Sequence, residues 1–218
     1  MGVDAQKVVL DISTSLDGFV AGPKPTLGEP SGRGGEALHE WVFELASFRE
    51  RHGKSGGVRN GDDEVVAESL AATGAVVMGR RMFSGGAGRW EDDPNADGWW
   101  GDTPPFQAPV FVVTHHAREQ LEMEGGTTFM FVTDGVESAI RQARAAAGDK
   151  NVLVAGGASL AQQVLGVGLL DELQIHLTPV VLGDGTRLLD HVSPEVRLEV
   201  SRVIGSPSVT HLRFRVLK

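Results

Sequence analysis

Three short segments combine bare main chain with side chains that can hold an anion. Gly79-Arg80-Arg81-Met82 follows the apolar run Ala75–Met78, and Thr114-His115-His116 follows Pro109–Val113. Gly156-Gly157-Ala158-Ser159-Leu160 follows Asn151–Ala155. Each preceding run has the length and β-branched content of a buried strand. The first and third segments also open helices, and N–H groups at a helix start favour anions, to which arginine adds charged donors. Two consecutive glycines let a ligand reach the backbone without meeting a Cβ. The chemistry favoured is binding of a ligand with several phosphates. Each segment also has a plain structural reading: Arg80 and Arg81 as a solvated helix start, the histidines as surface, the glycine pair as tight helix–sheet packing.

These segments converge only if their strands run parallel, because parallel strands bring their carboxyl ends to one edge of a sheet, where ligands bind. The chain has the elements for this. A strand is expected over 7–13, then a Pro/Gly loop over 21–35 and one helix through Leu38, Trp41, Val42, Leu45 and Phe48. A polar, glycine-rich loop leads to a helix over 62–72 that Asp62 or Asp63 can cap. After the strand ending at Gly79 come a brief helix and a long Gly/Pro/Asp/Trp loop to residue 107, a length more often functional than idle. Strands near 109–113 and 127–132, a helix over 136–147, the strand 151–155 and a helix over 158–165 follow. The end of the chain holds strands only, around 173–177, 197–204 and 209–217. The pattern predicts one α/β domain over 1–218, with a mostly parallel central sheet, helices on both faces and an antiparallel C-terminal hairpin.

Other chemistries fail on spelling. In "HEWVF" at 39–43, Phe43 stands where a zinc-protease helix needs its second histidine. "GKS" at 53–55 has Phe48 where a phosphate loop needs glycine, and no G-x-G-x-x-G follows a strand. The seven histidines are scattered, so no metal site is expected. The net charge of −9, with no basic stripe, argues against nucleic acid as a partner. There is no cysteine, hence no disulfide or thiolate chemistry. No opening signal and no apolar run of about 18 residues is present, so a cytoplasmic protein without a membrane partner is expected.

"SLDGFVAG" after the first strand, "VVMGRRMF", "PVFVVTHH", "VLVAGGASLAQQVL" and "DELQIHLTPVVLGDGTRLL" together resemble the dihydrofolate reductase fold. Within it, they are similar to the reductase domain of the bifunctional riboflavin-biosynthesis deaminase/reductase. The likeness runs from about residue 7 to 217. It implies NADPH as cofactor, with Gly79, Arg80, Arg81 and Met82 at the pyrophosphate and Thr114 and His115 at the 2′-phosphate. It implies that Ser13 lies beside the nicotinamide, and that Gly156, Gly157, Ala158, Ser159 and Leu160 give the cofactor room. Asp17, Gly18, Phe19, Trp41 and Ala155 would face a small-molecule substrate. Asp17 and Glu40 are the catalytic carboxylates so implied, although Asp17 also suits an Asx turn with Gly18 and Glu40 a solvated helix surface. The resemblance further implies a homodimer, with "ELQIHLTPVV" as a candidate interface strand.

The activity implied is hydride transfer to a heterocyclic or ribosylamino substrate, of the 5-amino-6-(5-phosphoribosylamino)uracil reductase type. A pterin or dihydrofolate reductase and a non-catalytic NADPH-binding protein are the alternatives. Two departures stand out. The family's zinc deaminase half has no counterpart, because its cysteine ligands are lacking. Ala155 occupies the place where riboflavin reductases commonly carry an acidic residue, which weakens the case for that substrate. The loop 84–107, with Trp90, Trp99 and Trp100, has the look of a substrate lid.

Overall fold

Alternation along the strands decides what each face of the sheet meets. The computed structural model describes residues 5–26, 28–86 and 88–218; positions 27 and 87, inside the two long loops, lie outside the described residues. The strands are β1 (Val8–Thr14), β2 (Phe19–Ala21), β3 (Thr73–Gly79), β4 (Pro109–Val113), β5 (Leu121–Glu122), β6 (Thr128–Val132), β7 (Asn151–Gly156), β8 (Glu172–Leu177), β9 (Thr186–Arg187), β10 (Arg197–Gly205) and β11 (Thr210–Leu217). The helices are α1 (Glu40–Phe43), α2 (Ala46–Arg51), α3 (Gly61–Ala72), α4 (Arg80–Ser84), α5 (Val136–Ala147) and α6 (Ala158–Gly166). The main sheet has the order β10-β11-β8-β1-β7-β3-β4-β6-β5. From β8 to β6 every pairing is parallel, while β11 on β8, β10 on β11 and β5 on β6 are antiparallel. The expected mostly parallel sheet with a terminal hairpin is therefore present.

One face is uniformly apolar. Val8 and Leu10, Ala75 and Val77, Val152 and Val154, and Leu173 project from four strands onto Val136, Ala139, Ile140 and Ala143 of α5 and Leu160, Ala161 and Val164 of α6. The α5 residues recur at helical spacing, so one stripe of the expected helix packs on the sheet. The other face is divided. Val76, Met78, Val110, Val112 and Phe129 meet Phe83, Trp90, Trp100 and Phe106 on its β3–β6 side. On the β1–β8–β11 side it carries Asp11, Ser13, Gln174, His176 and His211, and α3 lies over it with Asp62, Asp63 and Val65 buried.

Several expectations are corrected. The single helix expected across 36–50 is a 3-10 turn at 35–38 followed by α1 and α2. Its break is at Leu45, which is extended (φ −71°, ψ 140°) and bridges to Val58. Val58 N–H donates to Glu44 and Ala46 N–H to Val58, so two long-range hydrogen bonds replace helical ones. The glycine-rich loop after α2 is thus fastened at Val58. A Cβ on Gly57, at φ +115°, would lie 2.8 Å from Ala46 Cα. The α3 cap is Asn60, whose side chain accepts from Asp63 N–H at 2.9 Å, and neither Asp62 nor Asp63 serves. The "ELQIHLTPVV" segment is a strand only over Glu172–Leu177, β8, which runs inside the sheet between β1 and β11. The edge strand β10 carries three exposed apolar side chains, Leu198, Val200 and Val203.

Candidate active site

The carboxyl ends of β1, β7, β3 and β4 are neighbours in that order, so the three segments singled out by sequence lie on one rim. A Cβ on Gly79 would come 3.8 Å from Gly157 N, 3.8 Å from Leu160 Cβ and 3.9 Å from Gly156 O. A Cβ on Gly156, at φ +114°, would lie 3.5 Å from both Ile12 Cδ1 and Met82 Sδ. The ends of β1, β3 and β7 and the first turn of α4 therefore meet around the glycine pair. The Gly156–Gly157 peptide is cis. Gly157 differs from its neighbours. At φ −80° any residue is allowed, and a Cβ there would meet nothing within 4 Å. Beyond its two chain neighbours, nothing in the chain's own packing crowds that position. Gly157 precedes α6, whose start receives no side-chain cap; Ala158 and Leu160 are buried and Ser159 is exposed.

The cations of the rim divide into two kinds. Arg81 and His115 are exposed. Arg80 is buried: its guanidinium pairs with Asp93 at 2.5 Å, donates to Ser84, and lies 3.6 Å from the Trp90 ring centroid. Burial alone would push the Asp93 carboxyl up, but bonds from Ser84 and Arg80 outweigh it and hold the group below the usual carboxylate range. Arg118 stacks on Trp90 as well, 4.8 Å from its centroid, and pairs with Asp97 at 3.0 Å. Arg80 was expected to hold a phosphate by charge; its charge is already matched. From the loop 84–107, expected as a lid, Trp90, Trp100 and Phe106 pack against the core as a wall. Trp90 Nε1–H also donates to the His116 carbonyl at 2.8 Å, and His116 N–H to Thr114 Oγ1 at 3.1 Å. That pair of bonds ties the wall to the end of β4.

Asp17 has an occupation beyond the one expected. Its carboxylate accepts N–H groups of Leu182 at 3.1 Å and Gly183 at 2.7 Å, and Arg187 bonds its carbonyl at 2.6 Å. The Ser15 hydroxyl, with those two N–H groups, lowers the Asp17 carboxyl to about 2. Ionised and held by two N–H groups, the carboxylate has a structural occupation beside the catalytic one that the resemblance implies. It fastens the 182–183 turn to the rim, in place of the Asx turn with Gly18. Gly18, at φ +84°, leads into buried Phe19, whose ring carries Arg187 at 4.2 Å. Glu40 is exposed at the start of α1. Trp41 is half-buried, donates from Nε1 to buried Ser13 Oγ at 3.1 Å, and packs on His176 and His211. Ala155 is half-buried on the β7 side of the wall cluster. The buried histidines were missed by sequence reasoning, although polar residues at every second position of β1, β8 and β11 signalled them.

A family model, the RibD C-terminal domain, matches residues 6–211. The chain belongs to the RibD C-terminal domain family. Among curated relatives of this RibD-type domain is the uncharacterized protein YyaP of Bacillus subtilis (strain 168), 23% identical over 205 residues, which are 89% of this chain and 86% of that protein. The crystal structure of a putative riboflavin biosynthesis protein from Shewanella sp. PV-4 matches with TM-score 0.64 at 21% identity, over 98% of this chain and 100% of the other. The Thermotoga maritima diaminohydroxyphosphoribosylaminopyrimidine deaminase/5-amino-6-(5-phosphoribosylamino)uracil reductase matches with TM-score 0.57 at 16% identity; 98% of this chain covers 57% of that protein. Dihydrofolate reductase from Enterococcus faecalis, complexed with NADP(H) and RAB-propyl, matches with TM-score 0.53 at 11% identity, over 97% of each chain. The fold is dihydrofolate reductase-like. Among the described residues, no helix is long and apolar enough to cross a membrane, and no His/Cys/Asp/Glu group suits a metal ion.

Proposed function

We propose that this RibD-type domain binds a reduced nicotinamide dinucleotide, NADPH, along the carboxyl rim and reduces a small heterocyclic or ribosylamino substrate. The observation that carries the reading is Gly157: its missing side chain leaves open space next to Gly79 and Gly156, and beyond its two chain neighbours nothing in the chain fills that space. A dinucleotide backbone laid against two strand ends would use it. Gly156 to Leu160 would line its middle, with Gly79 and Met82 on the opposite side. Arg81 and His115, both exposed, are the cations left for phosphates, and His115 beside Thr114 suits a 2′-phosphate. Arg80 contributes by holding the wall rather than by touching phosphate. When bound, such a cofactor supplies hydride from C4 of its nicotinamide. Ser13, Trp41 and Phe19 would shape the end where the substrate sits, with the Asp17 staple fixing the turn beside it. A homodimer and a cytoplasmic setting accompany this reading on the family's precedent.

The decisive measurement is titration of intrinsic tryptophan emission with NADPH and NADH. NADPH should quench saturably and more tightly than NADH. Gly157→Val should fold with an unchanged circular dichroism spectrum and lose the quenching. Normal binding by that variant would remove the cradle from the reading. If NADPH binds but is oxidised by no heterocyclic or ribosylamino substrate, the protein is a non-catalytic cofactor binder.

A further inference from the structure

The polar part of the divided face contains a continuous row of four ionisable groups drawn from four elements. Asp11 Oδ1 on β1 lies 2.6 Å from His176 Nε2 on β8. His176 Nδ1 lies 2.7 Å from His211 Nδ1 on β11. His211 Nε2 lies 3.0 Å from Asp62 Oδ1 in the first turn of α3. Both imidazoles are buried, at 5% and 4% exposure. Trp41 covers them, with ring centroids 4.7 Å from His176 and 5.2 Å from His211.

Counting protons along this row leads to a definite state. Each of the three gaps needs one proton, since a hydrogen bond joins one donor to one acceptor. With both carboxylates ionised, all three protons must sit on the imidazoles. Two neutral imidazoles carry two. The row is complete only with one more, and that proton occupies the Nδ1–Nδ1 gap, where either ring can own it. Without it two lone pairs face each other at 2.7 Å, and one ring must turn away or separate.

The surroundings pull both ways. Asp11 also accepts from Ser69 on α3 at 2.7 Å. Burial would raise its carboxyl, but the His176 charge and these bonds, with Arg213 on β11, bring it below the ordinary range. Burial lowers the His211 imidazole, Asp62 opposes this, and the His176 charge lowers it further. His39, ahead of α1, faces the same charge and is lowered by burial first and by His176 second. The charged groups facing the pair are therefore Asp11, Asp62, Arg213 and His39.

We infer that His176 and His211 share one proton beyond those of two neutral rings, and that this buried pair is a proton store behind the Ser13–Trp41 wall of the candidate cleft. Its use in catalysis rests on the reductase reading. Reduction of a C=N or C=O group adds hydride at carbon and a proton at nitrogen or oxygen. The pair would give up that proton, fall to two neutral rings, and refill from solvent. Neither histidine is placed against substrate, so both act through the wall.

The first test needs no ligand. In 15N-labelled protein, the imidazole resonances of the seven histidines can be followed between pH 5 and 10. Two rings should lose one proton between them in a single coupled step as pH rises, and the Trp41 emission, isolated by difference against Trp41→Phe, should change with it. In His211→Phe the remaining His176 should show no coupled step and Trp41 emission should lose its pH dependence. Two rings that stay neutral throughout, or that titrate independently, would overturn the shared proton in the wild-type protein alone, whether or not the variant folds. The second test is calorimetry of NADPH binding in buffers of different ionisation enthalpy. Binding should be linked to a proton in the wild type and unlinked in His211→Phe. Proton-free binding by the wild type would overturn the link to the cleft. An absence of NADPH binding would end both the reductase reading and the supply role, while leaving the resonance titration to decide the store.

Discussion

Phe129 and His211 project from the same face of the same sheet into opposite kinds of surroundings. Phe129 is fully buried, its ring centroid 4.9 Å from that of Phe83 and 6.1 Å from that of Phe106. His211 is as deep, but it is held by hydrogen bonds to Asp62 and His176 under Trp41. On the Phe129 side, cohesion depends on filling volume. On the His211 side it depends on every donor finding an acceptor. The glycine cradle opens near their boundary, at β7 and β3, where the cover changes from α3 to α4.

This contrast can be broken by experiment. The largest effect is expected for Phe129→Ala, about 3–5 kcal/mol of lost stability by denaturant unfolding, and the same loss at pH 7 and pH 4. A loss that changed strongly between those pH values would mean the apolar side also leans on charge. Asp11→Asn should cost less, about 1–3 kcal/mol at pH 7, because it weakens bonds to His176 and Ser69 without leaving a void. Since the Asp11 carboxyl is lowered in the folded protein, its contribution is complete above its unfolded value and fades as pH falls. The variant's deficit should therefore shrink in acid. Asp17→Asn sharpens the same point at the rim. With its folded value near 2 against an ordinary 3.8, its contribution should be present above about pH 4 and gone below about pH 2, as read from unfolding midpoints across that window. The smallest change is expected for Arg215→Ala, whose ion pair with Glu199 is exposed, at about 0–1 kcal/mol.

Much of the architecture was legible because its signals are local. Apolar runs ending at Gly79 and Gly156, and the α5 stripe through Ile140 and Ala143, need no knowledge of distant residues. The rim followed from them, since parallel strands must end together. What was not legible depended on pairings across the chain. Leu45 left its helix for Val58, and Arg80 chose Asp93 over solvent. Asp17 found the N–H groups of Leu182 and Gly183, 165 and 166 residues away. The Asp11–His176 contact spans the same distance of 165 residues. Alternation in "DELQIHL" told that Gln174 and His176 share a face, but not that α3 would bring Asp62 to meet them.

The outer margin of β10 bears on the chain's behaviour at high concentration. Nine residues of open ladder with Val200 and Val203 more than half exposed would ordinarily invite another strand to add on. The register shift between Val200 and Arg202 interrupts that ladder midway, and the charges of Arg197, Glu199 and Arg202 flank the interruption. An incoming extended segment could match one end of β10 or the other, not both, which guards this margin against runaway stacking into fibres.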